Sequence, residues 1–400
     1  MKKLFLLSLL ALIAGGCALI TPKNNIKCSG TTYAADVVKP YIQSGELPGI
    51  ISVLAQGDVY EIHCAGWADV EKKIPITMDS MFRQCSQTKG FCGVSIAMLV
   101  EEGKISLDDP VAKYLPEFKS LKVIQGKGKN IKIVPAKNTL TIRMVMNHTG
   151  GFPFETPTKN KKGWCAASLR DSAKEAAATP LLFEPGTEVK YSNTGIDIGA
   201  AVVEVVTGKP WEIFLQERIF EPLGMTNTTF FPTEKQLATA ISAYTVRKGK
   251  KATPLPVYRW MPPPYNGKTV FPSAGAGLWS SANDQLKFYR MLMNLGKGDN
   301  GVRLLKEETV KTLLASSTRE PKFEKYSLGL RTNGKGSIGH GGALGTKCTV
   351  DWKTKQLQLM VVQLQGSPRP WNNKINQAAK KFFTTKLDTA GTDAYTGRIN

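Results

Sequence analysis

Ser86 and Lys89 stand three residues apart where the chain turns from Phe82-Arg83 into a long apolar helix. Positions i and i+3 of a helix lie on one face, with Cβ atoms about 5–6 Å apart, so the lysine amine can reach the serine hydroxyl. A serine needs an adjacent base before it can act as a nucleophile. The pair therefore predicts a serine acyl-transfer site, although roughly one such tetrapeptide is expected by chance in a chain of this length.

Lys89 can serve as that base only if its ammonium form is disfavoured, because the reference pKa of a lysine is about 10.4. Burial and the positive end of a helix dipole both favour the neutral amine. Ser86 is expected at the N-terminus of the helix, where backbone amides can stabilise a developing negative charge. The alternative is an N-cap serine beside a solvated lysine.

Two further short motifs carry polar side chains that could line the same site. Tyr191 and Asn193 form the only Tyr-x-Asn sequence in the chain, and residues two apart in an extended segment point the same way. His340 is followed by Gly341 and Gly342 in a predicted strand, where glycines would let a ligand approach the backbone closely. The alternatives are a buried structural tyrosine and a structural histidine.

Hydrophobic periodicity predicts the elements that must position these residues. Strands are expected near both ends of the chain and helices between them. This order favours one antiparallel sheet formed by both chain ends with helices packed on it, an α/β (α+β) fold. The predicted strands are 48–55, 59–65, 334–340, 346–352 and 356–365, and the predicted helices are 88–102, 140–146, 196–206, 211–219, 281–295 and 372–383.

The length fits one large domain or one domain with an insertion. We expect one domain over 45–385, with a mostly helical inserted subdomain at about 104–270. The remaining segments are interpreted as an export signal (1–18), an irregular lead-in (19–44) and a polar tail (386–400).

The first residues are typical of an export signal. Lys2 and Lys3 provide a positive start, and the apolar run 4–14 is too short for a membrane span, which takes roughly 20 residues. Cys17 after two glycines resembles a bacterial lipoprotein cleavage box and is the lipidation candidate, while ordinary cleavage after Ala18 is the alternative. We therefore expect an exported protein of the periplasm or cell envelope, either soluble or tethered to the membrane by lipid.

The formal net charge is +21. Lys and Arg are scattered rather than concentrated in one arm or patch, so a nucleic-acid partner is not expected. A basic solvated surface is favoured, with attraction to anionic envelope polymers as the alternative. The chain has three histidines and no CxxC pair, so no metal site is expected, and Cys85 and Cys92 are interpreted as packed thiols rather than a redox pair.

Landmarks in a consistent order resemble the class C branch of the serine β-lactamase and penicillin-binding-protein family, which includes family VIII carboxylesterases and D-stereospecific peptidases. The resemblance covers roughly residues 45–385. Its landmarks are the segment 82–118 around Ser86, Asn147 to Gly151, Phe183 to Gly186 leading into Tyr191, Ile219 to Met225, Ser273 to Leu278, Ser280 to Ala282, and His340-Gly341-Gly342 at the position of the lactamase Lys-Thr-Gly.

The resemblance implies a fold and a role for each residue. It implies a β-lactamase/transpeptidase-like fold. Tyr191 would be a second general base and acid, which shuttles a proton between Ser86 and the leaving group. Asn193 would hydrogen-bond the substrate amide or Lys89, and the Ala343 amide would pair with the Ser86 amide as an oxyanion hole.

One departure from the lactamase pattern bears on the substrate. His340 stands where lactamases bind the carboxylate of their substrates with a lysine, and a histidine is neutral or only partly charged near neutral pH. Strong β-lactamase activity is therefore not expected, whereas the esterases and peptidases of this branch tolerate histidine at that position.

We therefore expect an exported serine hydrolase that forms an acyl-enzyme on Ser86 with a small ester or amide, such as a carboxylic ester, a D-amino-acid peptide or a peptidoglycan fragment. No metal or organic cofactor is implied, and a monomer is favoured. The competing hypothesis is a module that binds or senses penicillin or peptidoglycan fragments with little turnover. The segments expected to set specificity, 119–139, 152–182 and 245–272, are predicted to be loops without a readable pattern.

Overall fold

One large sheet joins strands from both ends of the chain, and helices cover its two faces. The computed structural model describes residues 33–126, 128–157, 168–255, 271–314, 326–366 and 369–385, and the backbone of 27–28. The strands are β1 (Lys27–Cys28), β2 (Gly49–Gln56), β3 (Val59–Asp69), β4 (Ile74–Pro75), β5 (Phe82–Arg83), β6 (Lys122–Gln125), β7 (Lys132–Pro135), β8 (Tyr244–Thr245), β9 (Thr253–Pro254), β10 (Trp279–Ser280), β11 (Arg331–Thr332), β12 (Ser337–Gly341), β13 (Lys347–Asp351), β14 (Gln356–Val361) and β15 (Leu364–Gln365).

The helices fall mainly between the two groups of sheet strands. The α-helices are α1 (Ala34–Ser44), α2 (Lys89–Glu101), α3 (Ile142–Met146), α4 (Leu169–Ala178), α5 (Asn193–Thr207), α6 (Trp211–Leu215), α7 (Glu221–Leu223), α8 (Glu234–Leu237), α9 (Ala282–Met293), α10 (Glu307–Thr309) and α11 (Pro370–Thr384). Short 3₁₀ turns include Cys85–Thr88, and two π-helical turns span Gln216–Phe220 and Val310–Leu314.

The large sheet has the strand order β1-β3-β2-β14-β13-β12-β11, and β4 pairs with β3. The two ends of the chain meet where β2 and β14 pair antiparallel, with Ile51 opposite Val361 and Gln56 opposite Gln356. Apart from the parallel pair β1 and β3, the strands along this order pair antiparallel. The predicted α/β fold, with an antiparallel sheet formed by both chain ends, is confirmed.

Strand β2 is buried on both faces because helices cover both sides of the sheet. Its residues Ile51 and Val53 belong to the main core together with α2 and α9. Ile50 and Leu54, which point the opposite way, contact α1 and α11. Helix α2 is therefore enclosed in the core, and its first residue, Lys89, lies inside the protein.

The lead-in that we expected to be irregular as far as Ser44 is helical from Ala34 onward. Its first turn is held from strand β3, where the buried Glu61 carboxylate accepts hydrogen bonds from the amides of Tyr33, Ala34 and Ala35 at 2.9–3.2 Å. The Tyr33 ring also packs edge-on against Phe382 of α11, with centroids 5.4 Å apart. Helix α1 is thus part of the folded domain.

The described residues between 104 and 255 add no strand to the large sheet. They include most of the short helices, and strand β8, which pairs with β9 and β15 in a small separate sheet. The stretch 119–139, which we expected to be a loop, contains the hairpin β6–β7. The Ile124 amide of this hairpin donates a hydrogen bond to the Leu181 carbonyl. The boundaries of the predicted inserted subdomain stay a prediction.

Within the described part of the chain, none of the helices combines the length and apolar character that crossing a bilayer requires. The same residues contain no cluster of three or more His, Cys, Asp or Glu side chains that could hold a metal ion. The predicted export signal at 1–18, with Cys17, and the polar tail at 386–400 lie outside the described residues.

Candidate active site

Ser86 lies in a 3₁₀ turn, Cys85–Thr88, that runs directly into helix α2. Thr88 closes the turn, because its hydroxyl donates to the Cys85 carbonyl at 2.7 Å and accepts from the Leu278 amide at 3.2 Å. Cys85 has a φ of 51°, in the left-handed region that residues other than glycine rarely adopt. The backbone strain is located immediately before the candidate nucleophile, which is a common place for it in active sites.

The Lys89 ammonium is fully buried and surrounded by acceptors. Its Nζ donates to Ser86 Oγ at 3.4 Å, to Asn193 Oδ1 at 2.5 Å and to the Gly275 carbonyl at 2.6 Å. As an ammonium, Lys89 can donate to all three oxygens. As a neutral amine, it can donate to Asn193 and Gly275 and turn its lone pair toward Ser86. The predicted approach of the lysine to the serine is therefore present.

Tyr191 completes the predicted group of three. Its side chain lines the same cavity as Ser86, and its ring faces Lys89, whose Nζ lies 4.5 Å from the ring centroid. Burial raises the pKa of Tyr191, so the phenol is neutral near neutral pH. The Ser86 hydroxyl therefore lies near the Lys89 amino group and shares a cavity with the protonated phenol of Tyr191.

The Tyr191 ring is packed among other aromatic side chains. Its centroid lies 4.6 Å from that of His148, 5.8 Å from Tyr326 and 6.1 Å from both Phe154 and His340. His148, interpreted from the sequence as a structural turn residue, has a φ of 67° and accepts a hydrogen bond at Nδ1 from the Ser192 amide. Burial lowers the pKa of His148 well below its usual value, so a neutral ring supports Tyr191.

His340 lies on β12 beside this ring cluster and is buried. Its Nδ1 is 2.6 Å from the Gly341 carbonyl, which can only accept, so Nδ1 carries the proton. Burial, together with the Lys89 charge, lowers the pKa of His340 to about 3. The histidine is therefore uncharged near neutral pH and supplies no cation for a substrate carboxylate.

The two glycines after His340 have different environments. A Cβ on Gly342 would collide with the Gln84 carbonyl and the Thr346 hydroxyl, so this glycine lets the end of β12 lie against the nucleophile turn. A Cβ on Gly341 would meet only the Thr346 carbonyl, at 3.4 Å. The predicted space for a ligand beside the backbone is therefore at Gly341.

Ala343 lies beside the nucleophile turn and is exposed. Its amide and that of Leu344 donate toward the Cys85 thiol, whose pKa burial raises to about 11. The predicted pairing of the Ala343 amide with the Ser86 amide as an oxyanion hole stays a prediction. Cys85 and Cys92 are both buried free thiols, as expected.

A cavity of about 600 Å³ opens over Ser86, Tyr191 and His340. Three cationic residues line it, Arg331, Lys347 and Arg369, whereas the described residues of its wall include no Asp or Glu. Sequence reasoning missed Arg331, and it missed Tyr326, whose ring centroid lies 5.2 Å from the Arg331 guanidinium. The described wall of the cavity therefore offers positive charge to whatever molecule enters it.

Two buried carboxylates next to the site were also missed. Glu155 Oε1 accepts a hydrogen bond from Asn193 Nδ2 at 2.6 Å, and Asp197 Oδ1 accepts one from the Gly275 amide at 3.0 Å. Two weak signals were available. Glu155 follows shortly after the landmark ending at Gly151, and Asp197 is one helical turn beyond Asn193.

The chain is similar to known proteins over most of its length. A model of the family described as Beta-lactamase matches residues 34–379 of the chain. A protein of Escherichia coli (strain K12) named "Putative D-alanyl-D-alanine carboxypeptidase" is 29% identical over 326 residues, which are 75% of this chain and 72% of that protein.

Solved structures with low sequence identity share the fold. EstCE1, described as a hydrolase with promiscuous acyltransferase activity, has a TM-score of 0.71 at 21% identity, over 87% of this chain and 97% of its own. Simvastatin synthase (LovD) from Aspergillus terreus has a TM-score of 0.72 at 20% identity, over 88% of this chain and 97% of its own. Together with the family match across nearly the whole described chain, these findings show that the chain belongs to the beta-lactamase family of serine hydrolases.

Proposed function

We propose that this protein hydrolyses small esters or amides through an acyl-enzyme on Ser86. The observation that carries the proposal is the buried Lys89 Nζ, which lies 3.4 Å from Ser86 Oγ and 4.5 Å from the centroid of the Tyr191 ring, beside a cavity that Ser86 and Tyr191 both line. The serine comes from the 3₁₀ turn before α2, the lysine is the first residue of α2, and the phenol comes from the segment before α5. Such a nucleophile with an adjacent proton acceptor and donor is the requirement for acyl transfer.

The proposed steps follow from the protonation of these groups. The reactive form has Lys89 as a neutral amine. As Ser86 Oγ attacks the carbonyl carbon, its proton passes to the Lys89 amine, which becomes an ammonium. The oxyanion that forms would be stabilised by the Ser86 amide and a second amide at the end of β12. Tyr191 donates its proton to the leaving group and regains one from the Lys89 ammonium. In deacylation, the neutral Lys89 amine takes a proton from the attacking water, and this proton returns to Ser86 Oγ as the acyl group leaves.

An esterase or peptidase is proposed rather than a strong β-lactamase. The support is His340, which is neutral and buried at the position where lactamases use lysine. A substrate carboxylate would therefore have to pair with a different cation of the cavity wall, such as Arg331. One of the similar proteins points in the same direction, because the E. coli relative is named "Putative D-alanyl-D-alanine carboxypeptidase".

We also propose that the protein is exported to the periplasm or cell envelope and tethered through Cys17. The support is the pattern of residues 1–18, a basic start followed by a short apolar run and a cysteine after two glycines. Fractionation of cells that express the full chain or its Cys17→Ala variant tests this. We expect the wild-type chain in the membrane fraction and the variant in the soluble envelope fraction; wild-type chain recovered only from the cytoplasm would contradict export.

The central experiment treats the purified protein and its Ser86→Ala variant with a fluorophosphonate probe. A panel of short-chain aryl esters, D-alanyl peptides and a chromogenic cephalosporin is then assayed on the same samples. We expect labelling that requires Ser86, and turnover of an ester or peptide faster than that of the cephalosporin. Labelling without turnover of any substrate would favour the sensor hypothesis, and the absence of Ser86-dependent labelling would reject the acyl-enzyme.

A further inference from the structure

We propose that Glu155 and Asp197 are positioning residues, which hold in place the two acceptors of the Lys89 ammonium other than Ser86. The first acceptor is the side-chain oxygen of Asn193 and the second is the carbonyl of Gly275. This inference rests on the proposed function, because its readout is the acylation of Ser86.

The Asn193 amide lies between a cation and a carboxylate. Its Oδ1 accepts from Lys89 Nζ at 2.5 Å, and its Nδ2 donates to Glu155 Oε1 at 2.6 Å. An ammonium can only donate and an ionised carboxylate can only accept, so the two partners together fix which end of the amide faces Lys89. Without Glu155, the amide could turn its NH₂ group toward the ammonium.

Glu155 is itself held against the start of α5. It is 4% exposed, and the carbonyl of the preceding Phe154 accepts hydrogen bonds from the amides of Asn193 and Thr194 at 2.9 and 3.3 Å. The Ser192 hydroxyl donates to the neighbouring Pro153 carbonyl at 2.7 Å. The segment that carries the carboxylate is thus fixed to the segment that carries Asn193.

Asp197 lies one helical turn beyond Asn193 on α5 and holds the second acceptor, the Gly275 carbonyl. It is 1% exposed, and its Oδ1 accepts from the Gly275 amide at 3.0 Å and from the Ser273 hydroxyl at 3.1 Å. The carbonyl of Gly275 then receives the Lys89 ammonium at 2.6 Å. Asp197 therefore sets the position of this carbonyl by holding the same residue through its amide.

The charges of the two carboxylates suit a buried ammonium. A buried cation is costly unless it is paired and hydrogen-bonded. Here each carboxylate reaches Lys89 through one intervening group, Asn193 or Gly275, and chains of hydrogen bonds in a low dielectric polarise one another. The two hydrogen-bond chains hold Nζ in reach of Ser86 Oγ.

The test measures the second-order rate of Ser86 acylation by the fluorophosphonate probe. We expect Glu155→Ala to lower this rate on the order of 10²-fold, as misplacement of a reacting group does. Glu155→Gln, which keeps an oxygen acceptor for Asn193 Nδ2, should recover most of it. In the same way, Asp197→Ala should lower the acylation rate, and Asp197→Asn, which keeps an oxygen acceptor, should recover most of it. Glu204→Ala is the matched control, because Glu204 is a partly buried carboxylate near the far end of α5 that accepts the Trp211 amide at 3.1 Å.

A double-mutant cycle identifies the route of the effect. If Glu155 acts through Asn193, then Glu155→Ala should add less than about threefold to the loss already caused by Asn193→Ala, within the usual error of additivity. Thermal melting checks that each variant is folded. Should Glu155→Ala fail to fold, Glu155→Met, which keeps the volume but has no oxygen acceptor, takes its place.

The outcomes separate this inference from the proposed function. A wild-type protein that shows no Ser86-dependent labelling would overturn both. Two results would overturn the inference alone when the wild type is labelled. The first is that Glu155→Ala and Asp197→Ala are acylated as fast as the wild type. The second is that the losses in the Glu155/Asn193 cycle are fully additive. Graded loss, rescue by Gln and Asn, and non-additivity would support it.

Discussion

A side chain at position 275 would collide with Asn193. A Cβ on Gly275 would lie 2.6 Å from the Asn193 Cβ and 2.7 Å from its Cγ, distances that real Cβ atoms essentially never show. Asn193 would have to move, and its Oδ1 is an acceptor for the Lys89 ammonium. Gly275 therefore contributes to the site by having no side chain.

The first prediction concerns Gly275→Ala. We expect the rate of Ser86 acylation to fall on the order of 10²-fold, because the Asn193 oxygen and the Gly275 carbonyl, which both contact Lys89, are displaced together. Overpacking typically costs about 1–3 kcal/mol in the free energy of unfolding, which urea titration would measure. Gly298→Ala is the control. A Cβ at this position would lie 2.7 Å from Leu223 Cδ2, so the crowding is similar, but Gly298 does not contact Lys89 or Asn193. Equal loss of activity in both variants would contradict the prediction.

The second prediction is that Tyr191→Phe lowers acylation by roughly 10²–10⁴-fold, the usual contribution of a positioned proton donor or acceptor. The variant keeps the ring that packs on His148 and loses only the phenol hydroxyl in the cavity that Ser86 also lines. The melting temperature should therefore change little. Tyr326→Phe, in the same ring cluster, serves as the control and should retain most activity. Normal acylation by Tyr191→Phe would remove the phenol from the mechanism.

The group formed by Ser86, Lys89, Tyr191 and Asn193 could be predicted because each pair has a short, fixed spacing in the sequence. Spacing places two side chains on one face of an element, and the family resemblance supplied the approach of one element to another. Glu155 reaches Asn193 across 38 residues, and the Gly275 amide reaches Asp197 across 78. Such contacts depend on how segments pack, which no local pattern records.

The same distinction holds for the fold. Runs of residues typical of strands predicted the large sheet from both chain ends. The first run, 48–55, is rich in β-forming residues, and the next, 59–65, alternates because burial of one strand face has a period of two. Helix α1 was missed, since its first amides are satisfied by Glu61, a residue 26–28 positions away on β3, rather than by a local cap. The hairpin β6–β7 was missed because β7 has no inside–outside alternation: its residue Ile133 is 57% exposed although it is apolar.

The third prediction is that Glu61→Ala destabilises the protein. Three amides at the start of α1 would lose their acceptor in a buried position, and an unsatisfied buried donor costs about 1–3 kcal/mol. Urea unfolding should therefore show a lower midpoint, while the acylation rate of the folded protein is unchanged. Glu188→Ala, at an exposed position, is the control. An unchanged midpoint would show that α1 does not depend on this carboxylate.

The fourth prediction concerns pH and His63, which is 2% exposed on β3. Burial lowers the pKa of His63 from 6.5 to about 4. Between these values the unfolded chain binds a proton that the folded chain excludes, so this histidine makes stability fall as the pH falls through the window. The loss is about 1.4 kcal/mol per pH unit at most.

Comparison with His63→Asn isolates this contribution from the other groups that titrate in acid. Urea unfolding at several values between pH 7 and pH 4.5 should show that the wild type loses stability more steeply than the variant. The difference between the two free energies of unfolding should change by up to about 1.4 kcal/mol per unit below pH 6.5. Parallel curves would mean that His63 takes up its proton in the folded protein as readily as in the unfolded chain.

The fifth prediction follows from the cationic wall of the cavity. Arg331 lies on β11 with its guanidinium beside the Tyr326 ring, and it lines the cavity together with Lys347 and Arg369. A pair of aryl esters that differ only by a distal carboxylate should therefore differ in kcat/KM in favour of the charged ester. Arg331→Ala should reduce this preference by about tenfold, which corresponds to 1.4 kcal/mol, and leave the neutral ester unaffected. Lys335→Ala, an exposed cation outside the cavity, is the matched control. An equal loss for both esters would assign Arg331 to the support of Tyr326 rather than to substrate charge, because only direct attraction depends on the carboxylate.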